Sequence, residues 1–447
     1  MLIGFKVKNY RSFNELTHFS MIAGRTRNFE NHIMEKNNLA ILKFSTLFGA
    51  NASGKTNFTK AISYSKNLIL YGIEGISPNE YCRIKENNAK IPSYFEYEIE
   101  KDGKLYSYGF EINISSGTII SEWLIDMTKK TPLIIFERDA KKHIITSKIK
   151  FKNKNNSTPF ISCMKEMENN NNIFFLNELS RRLLLSGIYN EELEDFINVF
   201  DFFINDLQII GQNEGIKFNY LTKNKENIIG LLSKLGIDIS KIEEVDSSLE
   251  EIKSKLNEYS YAMFTRDLKF KKSTGSKSGE AIRIKDSIYI IRFDKANIDV
   301  KALKIKHNYS DTYFDTYEES AGTLRILELI DVLLAENRVF IIDEIDRCLH
   351  PSLTTKFVET FLESKNKNVQ LIITSHESKL LTFNILRRDE VWFAEKEKNG
   401  ETILYSLEQF KNDARFDRKI DKAYLEGRYG AVPVFNINEG KDENSKW

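Results

Sequence analysis

Cysteine and proline are scarce in this 447-residue chain, with three and six copies respectively. Cys82, Cys163 and Cys348 lie far apart, offer no metal-ligand spacing and cannot build a disulfide framework for a chain of this size, so a reducing cytoplasm is the expected compartment. Long hydrophobic runs are also missing. The N-terminal MLIGFKVKNYRSF places lysine in each apolar stretch before a signal-peptide core can form, and Leu324 to Leu334 carries Arg325, Glu328 and Asp331. Neither export by that route nor a membrane span is expected. No charge predominates: 65 Lys and Arg meet 64 Asp and Glu, a formal net charge of +1, so any nucleic-acid surface must be local. What is present is ordinary globular composition, 41% hydrophobic and 29% charged, which excludes disorder throughout and leaves room for one large domain or two or three smaller ones.

Ile3 to Phe13 and Leu39 to Phe48 read as strands, the second running into a glycine-containing loop. Phe95 to Ile112 alternates apolar and polar residues on either side of Asp102-Gly103, a preferred type I′ turn, which predicts an antiparallel hairpin. From Lys141 to Asn172 polarity rises and periodicity fades, as in an exposed connection. Leu193, Phe196, Ile197, Phe200, Phe203, Ile204 and Leu207 recur at helical spacing, and Ile228 to Leu235 and Ser247 to Leu256 repeat the signal. The Gly, Ser and Lys-rich KKSTGSKSGE then reads as a loop. Strand-like runs at Ile288 to Phe293, Val339 to Ile342 and Val369 to Thr374 alternate with helical segments, the pattern of an α/β fold. The expected organisation is residues 1–171 as the first part of an α/β head, 172–280 as a mainly helical insertion, 281–435 as the second part of the head, and 436–447 as a frayed tail.

The strongest local signal is Gly49-Ala-Asn-Ala-Ser-Gly-Lys55-Thr56, a gapless GxxxxGK[ST] between an apolar strand and a helix-forming stretch. Glycines let backbone N–H groups turn inward to cradle phosphate, the lysine reaches the β and γ phosphates, and the hydroxyl ligates Mg²⁺. The nucleotide-binding set is Gly49, Asn51, Ala52, Ser53, Gly54, Lys55, Thr56 and Asn57, and the implied cofactors are ATP and Mg²⁺. Such a loop needs an acid at the end of a buried strand, and Val339-Phe-Ile-Ile-Asp343-Glu344 supplies it: Asp343 for the metal, Glu344 to orient or deprotonate water, or two solvated strand-end acids. Upstream, Glu319-Ser320-Ala321-Gly322-Thr323 opens a helix, where Ser and Gly present anion donors or form a simple cap.

The order and spacing of these motifs resemble ATP-binding-cassette (ABC) ATPases. Ser320 to Thr323 takes the place of the signature, Leu349-His350-Pro351 follows the acidic pair, and Thr374-Ser375-His376 looks like the switch histidine. The resemblance implies an ABC-type P-loop ATPase head, in which a mixed sheet with flanking helices carries an antiparallel β subdomain. It also implies a head-to-tail homodimer or higher homo-oligomer with ATP between the P-loop of one subunit and Ser320, Ala321, Gly322 and Thr323 of the other, His376 at the γ phosphate, and Arg11 approaching phosphate. With NYRSF at Asn9 to Phe13, YSYGFEI at Tyr106 to Ile112 and VWFAEKEKNGETILYSL at Val391 to Leu407, the chain is similar to the bacterial AAA-15/AAA-21 group. That group is related to the overcoming-lysogenization-defect (OLD) and RecF-like ATPases, and members are associated with phage defence and abortive infection.

The resemblance implies ATP hydrolysis that regulates a separate effector, a nuclease or toxin, and leaves a phage-derived trigger and DNA contact open. About 70 residues follow His376, too short for the C-terminal nuclease domain of the OLD enzymes. Tyr424 to Phe435 either docks the effector or, as a terminal strand, folds back on its own core. Two departures stand out: no glutamine occurs between the P-loop and Gln208 to serve as the Q-loop residue, and His350 takes the D-loop aspartate position. Lys148, Lys150, Lys152 and Lys154 alternate as on a strand face, and Lys269, Lys271, Lys272 and Lys277 cluster beside Phe270. Both are either solvated faces or phosphate contacts. The competing readings are a DNA-repair ATPase of RecF or SMC type and a nucleotide-bound scaffold that sequesters a toxin.

Overall fold

The computed structural model describes residues 1–26, 28–73, 77–152, 154–187, 190–211, 217–218, 225–273, 280–293, 298–364, 368–382, 384–410 and 420–432. A central sheet of six strands runs in the order Leu207–Ile210, Arg338–Ile342, Val369–Thr374, Phe44–Phe48, Val391–Lys396, Thr402–Ser406. The first five are parallel and only the last is antiparallel. Sheets of this kind are covered on both faces, and their strands therefore read as continuous apolar runs. Alternate side chains divide between two cores: Leu47, Val339, Ile341 and Ile372 face the helix Lys55–Tyr71, whereas Phe48, Phe340, Ile342 and Ile373 face the helices Ala321–Leu334 and Pro351–Glu363.

Beyond the helix Lys55–Tyr71 lies a seven-stranded antiparallel sheet, ordered Ile144–Ser147, Leu133–Asp139, Thr118–Asp126, Lys104–Asn113, Ser93–Lys101, Leu2–Lys8, Thr17–Ser20. Its covered face is aromatic. Tyr97 meets Phe5 and Phe203 at ring-centroid distances of 4.9 Å, and Phe136 stacks on Phe196 at 5.4 Å. The hairpin turn is as expected, with Asp102 at φ 51° and Gly103 at φ 78°, the paired left-handed residues that a type I′ turn demands. A third, antiparallel sheet contains Glu280–Ile284, Ser287–Phe293, Ile298–His307 and Ile239–Asp246. One of its faces (Ile242, Ile288, Ile290, Leu303) joins the core under the helix Ala321–Leu334, and the other (Ile282, Tyr289, Ile291) is covered by Ile252 and Leu268 of the helices Leu249–Lys255 and Glu258–Ser273.

Residues 172–280 are therefore not one insertion. The helices Phe175–Ser186 and Glu194–Asp201 complete the core of the antiparallel sheet, Leu207–Ile210 is an edge strand of the central sheet, and the third sheet begins with the short strand Lys217–Phe218, paired to Glu280–Ile284, and continues past 280. Helical periodicity marks a buried face but does not say which sheet covers it. The polar stretch Lys141 to Asn172 contains a helix, Lys154–Met167, whose Phe160, Cys163 and Met167 are buried one and two turns apart. Lys148, Lys150 and Lys152 are exposed in an irregular connection after the strand Ile144–Ser147 and share no strand face. Leu39 to Phe48 is two strands, Leu39–Leu42 and Phe44–Phe48, parted at Lys43. The loop residues 274–279, Lys277 among them, and the tail 436–447 lie outside the described residues. Among the described residues no helix is long and apolar enough to cross a membrane.

Candidate functional site

The strand Phe44–Phe48 ends at Gly49, and the loop to Lys55 is shaped by two left-handed residues, Ala52 at φ 61° and Gly54 at φ 112°. A Cβ on Gly49 would lie 2.5 Å from Ser53 Oγ and against the Ala394 carbonyl, and one on Gly54 would strike the Thr402 side chain, so both positions need glycine. A hydrogen-bond chain holds the loop from outside. Asn57 Nδ2 donates to Ser12 Oγ at 2.7 Å, Ser12 Oγ lies 2.8 Å from Thr402 Oγ1, and Thr402 donates to the Ser53 carbonyl at 2.8 Å. The Ser53 hydroxyl is buried with no hydrogen-bond partner, a polar atom aimed into the loop and left for a ligand. Lys55 is 4% exposed and donates to the Gly49 and Ala50 carbonyls at 2.7 and 2.9 Å. Burial draws its pKa down to about 8, against the opposing pull of Asp343, Glu344 and Asp346. A buried cation backed only by carbonyls and these nearby carboxylates fits a bound phosphate.

Asp343 and Glu344 follow the strand Arg338–Ile342, next to the P-loop's own sheet neighbour Val369–Thr374. Asp343 is buried, and its Oδ1 accepts from Thr374 Oγ1 at 2.7 Å. The same hydroxyl accepts from Glu344 N at 2.8 Å. Glu344 is half-buried in the left-handed region, φ 48°. Its carbonyl and that of Asp343 accept from Arg325 Nη2 at 3.1 and 3.2 Å. His376 lies just past the strand Val369–Thr374; its backbone N–H donates to Asp346 Oδ2 at 3.3 Å, and partial desolvation of the ring, then the Lys55 cation, hold its imidazole below the usual value. Among the described residues no three His, Cys, Asp or Glu gather into a metal cage. Mg²⁺ does not need one, because it keeps several waters and takes one or two protein oxygens plus phosphate, a set that Thr56 and Asp343 fit.

Arg11 follows the first strand, which stops at Lys8 because Asn9 and Arg11 are left-handed (φ 51° and 49°). Its guanidinium pairs with Glu80 at 2.5 Å and, with Ser12, Asn57, Glu80 and Lys396, lines a cavity of about 610 Å³ beside the first turn after the P-loop. Ser320 is exposed and caps the helix Ala321–Leu334: its Oγ accepts from Thr323 N at 3.0 Å. A Cβ on Gly322 would meet the Cys348 carbonyl at 3.0 Å, so the start of the helix Ala321–Leu334 and the segment after the acidic pair touch within one chain. His350 caps the helix Pro351–Glu363, its Nδ1 accepting from Ser352 N at 3.2 Å. The strand Leu207–Ile210 ends beside Asp343, whose N–H donates to the Ile210 carbonyl at 3.0 Å; Gln212, just after it in sequence, lies outside the described residues. Tyr424 and Tyr429 stack on Phe393, so the described part of this segment, up to residue 432, packs on its own core, though not as the expected strand: Tyr424 lies in the helix Ile420–Leu425 and turns follow it.

The parallel central sheet, the P-loop at the end of one strand and the acidic pair at the end of another define an ATPase of the ABC class. The chain belongs to the family described as "AAA domain, putative AbiEii toxin, Type IV TA system", whose model matches residues 44–382, well over half of its length. No curated protein matches. Similar solved structures include an SMC head bound to the C-terminal winged-helix domain of ScpA, at 13% identity, covering 92% of this chain and 99% of that one with a TM-score of 0.43. Another is an SMC head domain from Thermotoga maritima, at 12% identity, 91% and 98% coverage and a TM-score of 0.35. A third is an Smc head with an extended coiled coil bound to the C-terminal domain of ScpA, derived from Pyrococcus furiosus, at 12% identity, 92% and 98% coverage and a TM-score of 0.40.

Proposed function

We propose that two copies of this chain close head to tail on ATP and Mg²⁺, hydrolyse ATP, and by closing and opening regulate a separate effector, a nuclease or toxin, in defence against phage. The observation that supports hydrolysis is the convergence at the C-terminal ends of the central strands. Lys55, Asp343, Glu344 and His376 follow the ends of three adjacent parallel strands, and electrostatic coupling links all four. In this reading Lys55 and the loop amides hold phosphate, while Thr56 and Asp343 hold the metal. Mg²⁺, when bound, neutralises charge on the phosphate oxygens. Glu344 orients the attacking water and accepts its proton. His376, kept neutral at pH 7 by its lowered pKa, can donate a hydrogen bond to phosphate. Ser320, Ala321, Gly322 and Thr323 of the second copy complete the site, Arg11 borders the nucleotide, and the about 610 Å³ cavity beside Asn57 takes the part of the nucleotide remote from the γ phosphate.

The family's description names a putative toxin and a toxin–antitoxin system, which favours a protein partner as the regulated species. The test is turnover of ATP by the purified chain, together with affinity purification of Glu344→Gln from its native host with neighbouring genes intact. Recovery of a nuclease-like or toxin-like protein supports effector regulation. Recovery of DNA and DNA-processing factors alone moves the reading to a repair ATPase, and a wild-type chain without turnover sinks the hydrolase.

A further inference from the structure

A buried chain of charges connects the third sheet to the turn that carries Glu344. Arg325, in the second turn of the helix capped by Ser320, is 6% exposed. Its Nη2 donates to the Asp343 and Glu344 carbonyls, and its Nη1 donates to Glu328 Oε2 at 3.0 Å. Glu328 is 2% exposed, and its other oxygen, Oε1, accepts from Arg283 Nη1. Arg283 stands on the strand Glu280–Ile284 of the third sheet. It is fixed to its own hairpin by Nε donating to the Lys285 carbonyl at 2.6 Å and by Nη2 on Asp286 Oδ1 at 3.2 Å. One carboxylate is thus divided between two guanidinium groups from different parts of the fold.

The division matters because one donor is left over. Arg325 Nε is buried and has no hydrogen-bond partner. A carboxylate with both oxygens free binds a guanidinium side-on, through Nε and Nη2 together. With Arg283 on Oε1, Glu328 meets Arg325 through Nη1 alone, and Nη2 stays on the two carbonyls. Glu344 sits in a left-handed conformation that a non-glycine residue holds only when its surroundings fix it, and here Thr374 grips its N–H while Arg325 grips its carbonyl.

We propose that Arg325 is a positioning residue for Glu344 and that Arg283 sets its position, so that the hairpin Glu280–Phe293 switches hydrolysis through Glu328. With Arg283 engaged, Arg325 holds the Glu344 turn. With the hairpin withdrawn, Glu328 takes Arg325 side-on and the turn loosens. The hydrolytic consequence rests on the function proposed above; the coupling itself does not.

The experiment compares full-length wild type, Arg283→Ala and the double variant Arg283→Ala/Glu328→Gln. Amide hydrogen exchange is followed in the peptide spanning 340–346, beside ATP affinity and kcat. In Arg283→Ala, exchange of that peptide speeds by tenfold or more and kcat falls by tenfold or more, with ATP affinity within twofold of wild type. In the double variant, Glu328 has lost the charge that draws Arg325 away, and both readouts return towards wild type. Unchanged exchange in Arg283→Ala overturns the proposal, as does a loss that Glu328→Gln fails to reverse, because a purely structural contact cannot be rescued by removing a second one. A wild-type chain without turnover refutes the hydrolase and leaves the exchange comparison to decide the coupling.

Discussion

Thr374 Oγ1 donates to Asp343 Oδ1 at 2.7 Å while accepting the N–H of Glu344 at 2.8 Å. One hydroxyl at the end of the histidine-bearing strand therefore sets both acids of the neighbouring strand. Thr374→Val keeps the shape and removes both bonds. We expect a loss of about 1–3 kcal/mol in stability for the buried groups left unpaired and a fall in kcat larger than any change in ATP affinity, read by urea unfolding and steady-state kinetics.

Lys55→Ala removes the cation from the loop, and ATP affinity should disappear in a calorimetric titration. Full affinity in that variant would falsify the P-loop assignment. The same side chain predicts a pH effect on the ligand-free protein. Its folded pKa of about 8 lies below its ordinary 10.5, so the unfolded chain binds more protons between those values and stability rises with pH across that window. The gain is on the order of 3 kcal/mol for a shift of this size. A Lys55→Met variant should lack it in melting curves compared with wild type from pH 8 upward.

Glu344→Gln should bind ATP and accumulate as an ATP-bound dimer, with turnover reduced by about 10²–10⁴, the usual range for a lost general base. Size-exclusion chromatography with light scattering in ATP and Mg²⁺ checks the dimer. Normal turnover removes Glu344 from the role.

Ser320 has two readings that one pair of variants separates. Ser320→Ala loses the cap, at about 0.5–2 kcal/mol, whereas Ser320→Asp keeps it. A residue that only caps its helix leaves Ser320→Asp fully active. A residue that meets phosphate across a dimer leaves both variants binding nucleotide as monomers and both poor in hydrolysis.

His307 lies just upstream of the signature, its Nδ1 2.6 Å from the Asp238 carbonyl and its Nε2 2.7 Å from Glu319 Oε1. Two oxygens thus face the two ring nitrogens, an arrangement that favours the protonated ring. Tyr309 stacks on it and Phe314 packs edge-on. Burial works against the charge, but the Asp238 carbonyl and then Glu319 outweigh it and raise the pKa above 6.5. The stabilisation is complete below 6.5 and is lost as pH rises through the folded value. The stability difference between wild type and His307→Gln should be flat below pH 6.5 and shrink above it; a difference that grows with pH would count against the charged pair.

The P-loop and the acidic pair were legible because each is a contiguous run whose neighbours, a buried strand before and a helix or turn after, are written in the same few residues. Arg325, Thr374, Ser12 and Thr402 were not. Ser12, Arg325 and Thr374 stand within or beside motifs that were read, yet a single Ser, Thr or Arg carries no local mark of what its side chain will touch. The reading of 172–280 as one insertion failed for a related reason. Phe196, Phe200 and Phe203 announce a buried helical face, yet the face is buried by strands drawn from residues 93–139, and the four-residue strand Leu207–Ile210 is too short to stand out from the helix before it.

The P-loop strand Phe44–Phe48 is flanked on one side by Val369–Thr374 and on the other by Val391–Lys396. A ribosome working at roughly 5–20 residues per second makes that strand on the order of tens of seconds before it makes either neighbour. The nascent chain therefore carries that strand without its sheet neighbours for most of its synthesis, and both of its edges can be paired only after Val391–Lys396 has emerged. A chain that stops upstream of Val369 leaves both edges of the P-loop strand unpaired, and one that stops between the two leaves a single edge open.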